Sequence, residues 1–435
     1  MVKATVGLCL LGTLGALSVS ASPDLKINNT RLIVKLKNEN SSLANSSIKS
    51  VKTLFGGYQV IYSDNIEKLK SELSHNSLVE SVNYDYFAGR SKIEVPESVE
   101  TLEKNYTKAI NGFNDPGVSK LWAFNSAERA GMNISDAYEA MGSQTGEEVI
   151  VAVVDTGVDY NHEDLKDIMW VNEGEIADNG IDDDGNGYID DIHGINTLVR
   201  DSEGNATADM MDKHSHGTHV SGTIAAKQNN GTGIAGIAAH ARIMGIRTVP
   251  NNGDETDVDV AESFLYAAKN GAKIINCSFG KGHNEGGMLV KETIDFIGKE
   301  YGVLVVAAAG NDSSNIDRYE TWPASYDSES LLVIASTTKY GSLSGFSNYG
   351  VVGVDVAAPG SSIYSTTPGN RYGNMSGTSM ATPNTVGVAA QILSLNPGLS
   401  PYQLKERLME RSTKVSKYST KVGSSGLVNL LDSIR

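Results

Sequence analysis

The 435-residue chain is poor in cysteine, in basic side chains and in long apolar runs. Two cysteines cannot build a disulfide scaffold, and 36 basic against 52 acidic side chains exclude a general nucleic-acid binder, which needs a basic face. Beyond the amino terminus, no run is long and apolar enough to span a membrane. Hydrophobic residues are plentiful at 40%, with 3 Trp, 18 Tyr and 8 Phe, so a large core is expected.

The acidic residues behind the net charge of −16 are concentrated in one stretch. Residues 1–113 carry 13 basic and 11 acidic side chains, whereas residues 159–212 carry 16 acids and only two bases. A solvated acidic surface would be more diffuse. This stretch therefore needs an explanation of its own.

The amino terminus has the pattern of a secretory signal. Lys3 precedes an uncharged apolar run at 4–19, and Ala21 ends a small-residue cleavage site. The run is short for a membrane span, and an uncleaved anchor is the alternative. We therefore expect residues 1–21 to be a signal peptide and the product to be secreted, with Cys277 as its single cysteine.

Residues 22–87 have the pattern of a small independent α+β domain. The predicted elements, in chain order, are a strand at 31–37, a helix through Ile48, Val51 and Phe55, a strand at 57–62, a helix from Asp64 with Ile66, Leu69 and Leu73 on one face, and a strand at 78–87. Residues 88–113 are rich in glutamate and poor in large apolar groups, which predicts an exposed linker.

From residue 148 onward, apolar strands alternate with amphipathic helices, which predicts an α/β domain with a parallel sheet. The run at 149–154 has the composition of a strand buried on both faces, and it ends at Asp155. Such folds place their sites at this end of a strand. By itself, however, an aspartate there is more often an ordinary strand-end cap.

Two further motifs stand at predicted helix starts. His216-Gly217-Thr218-His219 opens a run of small residues suited to close packing on a sheet, and Gly377-Thr378-Ser379-Met380 precedes a helical run ending at Leu395. Taken alone, the two histidines are equally core residues or metal ligands, although no third ligand completes a zinc set nearby. A serine at a helix start is more often a cap than a nucleophile.

In that order, the Asp-Thr-Gly, His-Gly-Thr-His and Gly-Thr-Ser-Met-Ala-Thr-Pro motifs resemble those of the subtilisin-like serine proteases. The resemblance implies a doubly wound, mostly parallel α/β catalytic domain at 114–435, preceded by a ferredoxin-like, inhibitor-type propeptide at 22–87. It also implies a triad and an oxyanion donor: Asp155, His216 and Ser379, with the side-chain amide of Asn311. Read without the family, Asn311 is a turn residue.

The resemblance places a substrate cleft between two segments. Its residues are Ser278, Phe279 and Gly280 on one side and Gly253, Asp254 and Glu255 on the other, with Thr321 at the floor of the primary pocket. A peptide held between two strands gains main-chain hydrogen bonds. Asp254, Glu255, Asp257 and Asp312 predict a mild preference for basic substrates; the alternative is that these charges point into solvent.

Part of the acidic stretch has the spacing of a calcium loop. The predicted oxygen ligands are Asp182, Asp184, Asn186, Tyr188 and Asp190, around a turn at Gly187. The twelfth position is His193 rather than glutamate, so an acidic solvated loop is the alternative. The resemblance adds a second predicted calcium site at Asp164 and Asn230.

The sequence therefore predicts a secreted, calcium-stabilised serine endopeptidase made as a preproenzyme and cut between Phe87 and Asn114. Its expected partners are protein or peptide substrates and its own propeptide, which inhibits it and aids its folding. We expect a monomer without a nucleic-acid partner. The alternative is a catalytically dead, secreted calcium-binding interaction protein with a protease fold. Broad digestion and narrow processing both stay open.

Overall fold

The computed structural model describes residues 25–89, 93–102, 112–144, 146–202 and 204–435. The predicted signal peptide at 1–21 and parts of the linker at 88–113 lie outside these residues. Within the described chain, no helix is long and apolar enough to cross a membrane.

Residues 25–89, the amino-terminal unit, form a four-stranded antiparallel sheet with a helix packed on it. Its elements are β1 (Ile27–Leu36), β2 (Ser50–Thr53), β3 (Tyr58–Tyr62), α1 (Ile66–Leu73) and β4 (Val79–Tyr86). The sheet order is β2-β3-β1-β4. As predicted, Ile66, Leu69 and Leu73 are the buried face of α1, and Asn65 caps the helix by accepting from the Lys68 N–H at 3.0 Å.

The helix predicted through Ile48, Val51 and Phe55 is wrong, because residues 50–53 form β2. Val51 pairs with Ile61 across the antiparallel ladder, where a β-branched side chain is favoured. Phe55 leaves the strand and stacks on Phe296, with ring centroids 4.6 Å apart. The apolar spacing therefore reflects contacts with two different partners and not one helical face.

Residues 93–102, the acidic strap, contain the short strand β5 (Val99–Glu100). This strand pairs with β15 of the larger unit described next, so the segment predicted as an exposed linker is partly docked.

Residues 112–435, the large unit, alternate strands with helices. They comprise α2 (Ile134–Met141), β6 (Val149–Asp155), β7 (Gly194–Arg200), β8 (Ala206–Thr207), α3 (His216–Ala225), β9 (Ala241–Arg247), α4 (Asp257–Lys269), β10 (Ile274–Cys277), α5 (Leu289–Tyr301), β11 (Leu304–Ala308), β12 (Leu331–Thr337), β13 (Val356–Pro359), β14 (Ile363–Thr367), β15 (Arg371–Met375), α6 (Thr378–Leu395), α7 (Pro401–Glu410), β16 (Thr413–Lys414), β17 (Gly426–Leu427) and α8 (Leu430–Ser433).

The main sheet has ten strands in the order β16-β17-β13-β12-β11-β10-β6-β9-β7-β8. The pairs from β17 to β7 are parallel, and only the two edge strands are antiparallel. After β9 the chain crosses to the other side of β6, so the strand order reverses there. The predicted mostly parallel α/β fold is confirmed, and Asp155 ends the strand beside this reversal, where such sheets form a crevice.

Strand β6 is buried on both faces because helices cover both sides of the sheet. Val151 and Val153 pack in one core with residues of α3 and α6, while Ala152 and Val154 pack in a second core with residues of α4 and α5. Alternate side chains of a strand point to opposite faces, which explains the continuous apolar run.

The amino-terminal unit uses both faces of its sheet. Leu32, Val34 and Ile61 pack against α1, and Ile33 and Val60 pack on the large unit. The partners on the large unit come from α4 and α5: Val258, Ala261 and Leu289. The unit is therefore attached to the outer surface of these two helices by a buried apolar contact.

Candidate active site

Asp155 is held at the end of β6 with its carboxylate turned toward α3. The residue is 1% exposed, and its Oδ1 accepts a hydrogen bond from the Thr156 N–H at 2.7 Å. His216 Nδ1 donates to the two carboxylate oxygens at 2.8 and 3.0 Å. The donor therefore has to be the Nδ1–H tautomer, and Nε2 is left to face the other reacting groups.

His216 reaches this position because α3 begins very close to the loop that follows β6. Gly217 lies against the carbonyl oxygen of Gly157, where a side chain would clash. Ser215, directly before the helix, has φ of 105°. The close approach explains the small residue after the histidine and places the imidazole beside the strand end.

Asp212 connects the two segments and was missed by the sequence analysis. One carboxylate oxygen accepts from Thr156 Oγ1 at 3.0 Å, and the other accepts from Thr218 Oγ1 at 2.6 Å. It also accepts from the Ser215 N–H at 3.1 Å. A carboxylate four residues before a histidine that starts a helix was the available signal, because such residues cap helix starts.

His219 is a core residue and does not share a ligand with His216. Its Nε2 lies 2.9 Å from the carbonyl oxygen of Ile363, on the side of β14. Burial lowers the pKa of His219 to about 3, so its imidazole is neutral. Of the alternatives left open for this motif, the geometry favours a core histidine for His219.

Ser379 lies in the first turn of α6, a buried 18-residue helix. Its carbonyl oxygen accepts from Ser278 Oγ at 2.9 Å, which fixes the turn relative to β10. N–H groups in a first helical turn have no partner within the helix, and the helix dipole favours negative charge there. Gly377 leaves the space in front of the serine open on one side.

Asn311 directs its amide nitrogen toward Ser379. Its Oδ1 accepts from both the N–H and the Oγ1 of Thr378 at 2.9 Å. With the oxygen occupied, Nδ2 is free to donate into the site. This is the geometry that a donor to a developing oxyanion requires.

The group that accepts from Asn311 Nδ2 is the carboxylate of Glu94, a residue of the acidic strap that was not predicted from the sequence to belong to the site. Its Oε1 receives hydrogen bonds from Asn311 Nδ2 at 2.5 Å and from Ser379 Oγ at 3.2 Å. Its Oε2 lies 3.3 Å from His216 Nε2. That contact pairs charges without hydrogen-bond geometry, since Nε2 has no hydrogen-bond partner among the described residues. Only the glutamate-rich composition of the linker pointed to acidic residues there.

Charge around His216 changes its protonation. Burial opposes the charged imidazole, but Asp155 and Glu94 outweigh it and raise the pKa of His216 to about 10. Burial also opposes charge on Glu94, but the contact with the charged imidazole of His216 holds the pKa of that carboxyl below its usual value. With the strap in place, the imidazole and the glutamate form an ion pair at neutral pH.

Only some of the residues that were predicted to line the substrate cleft lie at the surface of the cleft. Phe279 and Gly280 line a pocket with Glu255, Trp322 and Tyr326, and the end of the amino-terminal unit enters the same pocket at Ala88. Ser278 is buried. Asp254 lies at a separate cavity beside Arg31, and the adjacent Gly253 is exposed.

The chain end of the amino-terminal unit runs antiparallel to one predicted edge of the cleft. Phe87 pairs with Thr256, and the Ala88 N–H donates to the Glu255 carbonyl at 2.9 Å. This is main-chain pairing of the kind expected for a bound peptide. The methyl group of Thr321 lies close to Gly280 and Gly310, and the next two residues, Trp322 and Pro323, line the pocket.

Asp257 was predicted to lie on the acidic rim of the cleft, and its carboxylate does not lie there as an unpaired charge. Asp257 is buried, and its carboxylate pairs with Lys281 Nζ at 2.5 Å. Its charge is therefore paired within the large unit, although the residue lines the pocket that Ala88 enters.

The acidic stretch forms one cluster of carboxylates that could hold a metal ion. Ligand oxygens of Glu175, Asp184 and Asp191 lie within 4.8 Å of one another. Burial raises the pKa of Asp191, and the charge of Asp184 adds to that effect. Several carboxylate oxygens at close range suit Ca²⁺, which would also relieve their mutual repulsion.

Of the predicted calcium-loop residues, only Asp184 belongs to this cluster. Asp182 accepts from the N–H groups of Asn186 and Gly187 at 3.1 and 2.9 Å, and so shapes the turn. Asp190 accepts from the N–H groups of residues 179 and 180, at 3.1 and 3.0 Å. Tyr188 donates from its hydroxyl to Glu262 at 3.1 Å.

The second predicted pair does come together. Asn230 Nδ2 donates to Asp164 Oδ1 at 2.9 Å, and Asp164 Oδ2 accepts from the Ile234 N–H at 2.8 Å. Burial raises the pKa of Asp164 to about 7. A cation bound to Asp164 would keep that carboxylate ionised at neutral pH.

The chain resembles known proteins over most of its length. Residues 146–428 match the model of the subtilase family, Peptidase_S8. The "Thermophilic serine proteinase" of Bacillus sp. (strain AK1) is 37% identical over 284 residues, which are 65% of this chain and 61% of that protein. The "Extracellular protease" of Xanthomonas campestris pv. campestris is 33% identical over 334 residues, 73% of this chain and 55% of that one. The chain thus spans less than two thirds of either relative.

A solved protease structure also matches this chain. Proteases from Pseudoalteromonas arctica match with a TM-score of 0.60 and 26% identity, over 74% of this chain and 98% of that one. The family match covers the β6, α3 and α6 segments that bring Asp155, His216 and Ser379 together. The chain therefore belongs to the subtilase family.

Proposed function

We propose that the chain is a serine endopeptidase that hydrolyses peptide bonds through an acyl-enzyme on Ser379. The observation that carries the proposal is the convergence of three groups. His216 is oriented by Asp155 at 2.8 Å, while Ser379 Oγ and Asn311 Nδ2 both donate to one oxygen. That oxygen belongs to Glu94 and marks where a substrate carbonyl oxygen can be bound.

Each step has a group placed for it. Ser379 Oγ attacks the substrate carbonyl carbon while His216 Nε2 takes the hydroxyl proton, since a free serine is too weak a nucleophile. Asn311 Nδ2 and the Ser379 N–H stabilise the tetrahedral oxyanion. His216 then returns the proton to the leaving amine as the peptide bond breaks, and Asp155 stabilises the transient imidazolium. Water repeats the sequence to release the acid and regenerate the serine.

We propose that residues 22–87 are the ferredoxin-like propeptide, which inhibits the enzyme and aids its folding. Support comes from its buried contact with α4 and α5 and from its chain end in the cleft. The enzyme would accept extended peptides, because that chain end pairs through its main chain. Removal of the propeptide needs a cut between Phe87 and Asn114.

Calcium is proposed as a structural ion. Glu175, Asp184 and Asp191 would hold one ion, and Asp164 with Asn230 would contribute to a second. A bound ion would supply charge neutralisation and stability, and no catalytic step depends on it.

Secretion is proposed from the signal pattern at 1–21, and one relative is named as an extracellular protease.

The proposal is tested with purified protein and casein. We expect Ser379→Ala to abolish hydrolysis and the parent to lose activity with a serine-directed covalent inhibitor. Ser419→Ala, which removes an exposed hydroxyl in the carboxyl-terminal segment, is the matched control and should keep full activity. Hydrolysis by Ser379→Ala would contradict the assignment. An inactive parent whose chain has been cut to begin at Asn114 would favour the calcium-binding interaction protein.

A further inference from the structure

The acidic strap is docked on the large unit independently of the amino-terminal unit. Val99 pairs with Gly373 and Glu100 with Tyr372, so β5 adds a third strand to the β14–β15 hairpin. The Glu97 N–H donates to the Asn374 carbonyl at 3.0 Å. Gly373 lets the strap approach, since a side chain there would meet the Ser98 carbonyl oxygen.

Side chains fix the register of this added strand. Glu100 pairs with Lys120 and accepts from the Tyr364 hydroxyl at 2.8 Å. Ser376 Oγ donates to Glu97 at 3.3 Å, and Leu102 packs on the main core. These contacts hold the strap at both ends of the short β5 pairing and direct the preceding residues toward Ser379.

Glu94 is the only described strap residue whose side chain enters the catalytic centre. Its side chain is 19% exposed, and its carboxylate fills the space left by Gly377. As described above, it occupies Asn311 Nδ2 and Ser379 Oγ and faces His216 Nε2. The position used by the oxyanion in the proposed reaction is thus already filled by a side-chain carboxylate.

Two requirements for nucleophilic attack are missing in this arrangement. The hydroxyl hydrogen of Ser379 is donated to Glu94 and not to His216, whose Nε2 has no hydrogen-bond partner in the described chain. A nucleophilic serine needs that bond to its base. In addition, the charges of Asp155 and Glu94 on either side of the ring keep His216 protonated, so the imidazole cannot accept a proton.

We propose that residues 93–102 are a second intramolecular inhibitor, distinct from the amino-terminal unit, which docks on the edge of β15 and places the Glu94 carboxylate at the oxyanion position. The proposal rests on the proposed protease function. A product that begins at or before Glu94 keeps this inhibitor, whereas one that begins at Asn114 has lost it. Removal of the amino-terminal unit alone therefore leaves the catalytic centre occupied.

The test measures how fast a small serine-directed sulfonyl fluoride labels Ser379 in the full-length, uncut chain, followed by mass spectrometry. We expect Glu94→Gln to increase the labelling rate about tenfold or more, since a charge-assisted contact is lost. Glu39→Gln is the matched control: it makes the same charge change at an exposed position of the amino-terminal unit, away from the strap and the centre, and should label at close to the parent rate.

A second variant keeps the test independent of how Glu94→Gln folds. Glu100→Lys places a cation beside Lys120 and should release the strap, which also accelerates labelling. Equal labelling rates in the parent, Glu94→Gln and Glu100→Lys would overturn the strap proposal, provided that the matured parent is labelled and active. If the matured parent is neither labelled nor active, the protease proposal fails, and the strap proposal falls with it.

Discussion

The amino-terminal unit and the acidic strap contact the large unit in opposite ways. The unit is attached through a buried apolar surface and buried ion pairs on α4, away from the reacting groups. The strap has two residue pairs in a sheet and one exposed ion pair, Glu100 with Lys120, yet it reaches the catalytic centre. The strongest attachment and the direct contact with His216 and Ser379 therefore belong to different segments.

The ion pairs of the amino-terminal unit explain its attachment in more detail. Arg31, which is 4% exposed, donates to Asp85 at 2.7 Å and to Asp259 at 2.9 Å. Lys52 pairs with Glu262 at 2.6 Å. The acids of the large unit that pair with the weakly basic unit therefore lie on α4 and, at Glu292, on α5, outside the acidic stretch at 159–212.

The largest effect should come from Arg31→Ala in a full-length chain that also carries Ser379→Ala to prevent self-cleavage. Removing the guanidinium leaves Asp85 buried without its cation, so we expect a loss of about 3–5 kcal/mol in unfolding free energy. Denaturant titration measures this loss. Lys49→Ala removes an exposed ion pair of the same unit and should cost below about 1 kcal/mol. Equal losses would remove the contrast between attachment and inhibition.

The next largest effect should be the pH dependence of the strap's protection of Ser379 against labelling. The groups facing His216 are Asp155, Glu94 and His214. The pKa of His216 is raised from 6.5 to about 10, so its contribution is complete below pH 6.5 and is lost as pH rises through 10. The pKa of Glu94 is lowered from 4.5, so its contribution is present above pH 4.5 and is lost as pH falls through the lowered value.

The ratio of labelling rates, Glu94→Gln over parent, should therefore be largest between pH 4.5 and 6.5. It should then fall toward one as pH approaches about 10. Taking a ratio cancels the pH dependence of the probe and of the serine itself. A ratio that is constant across this range would show that the ion pair does not hold the strap.

Removal of calcium by a chelator should have a smaller effect on stability. We expect this effect to concern the attachment of the amino-terminal unit and not the strap. Tyr188, next to the carboxylate cluster, donates to Glu262, which pairs with Lys52 of that unit. An ion at roughly thirty times its dissociation constant stabilises by about 2 kcal/mol. Excess chelator should lower the melting temperature of the Ser379→Ala chain. In the chain that keeps Ser379, the labelling ratio for Glu94→Gln should not change. An unchanged melting temperature would exclude a structural calcium ion.

The smallest effect should come from Glu100→Ala. Its ion pair with Lys120 is exposed, and such pairs contribute about 0.2–1 kcal/mol. We expect at most about fivefold faster labelling of Ser379 in the full-length chain. An increase as large as that of Glu94→Gln would mean that the strap depends on this pair as much as on Glu94.

The parts of the molecule that the sequence predicted are those with a local pattern. The continuous apolar run of β6 follows from burial on both faces, and the small residues around His216 and Ser379 follow from close packing. Family resemblance then supplied the roles of these residues. The geometry around Asn311 agrees with the predicted donor because Thr378 fixes its amide.

The parts that could not be predicted depend on partners distant in sequence. Glu94 contacts residues 122 to 285 positions away, and the linker composition does not specify which glutamate enters the site. The regular spacing of the calcium loop hid Glu175, which contacts the loop from outside it, and Asp191, which lies within the loop at a position with no predicted ligand. Phe55 gave a false helical spacing because its partner, Phe296, belongs to the other unit.

The covalent tether of the strap has a kinetic consequence. A short tether gives an attached group an effective concentration on the order of millimolar, so a few weak contacts are enough to keep the centre occupied. A single cut after the strap leaves it joined to the amino-terminal unit, whose buried contact with α4 and α5 keeps it near the centre. Once the chain is cut on both sides of the strap, the freed peptide is diluted and its contacts are too few for it to return. The strap therefore stays at the centre while either connection is intact and is lost permanently when both are cut.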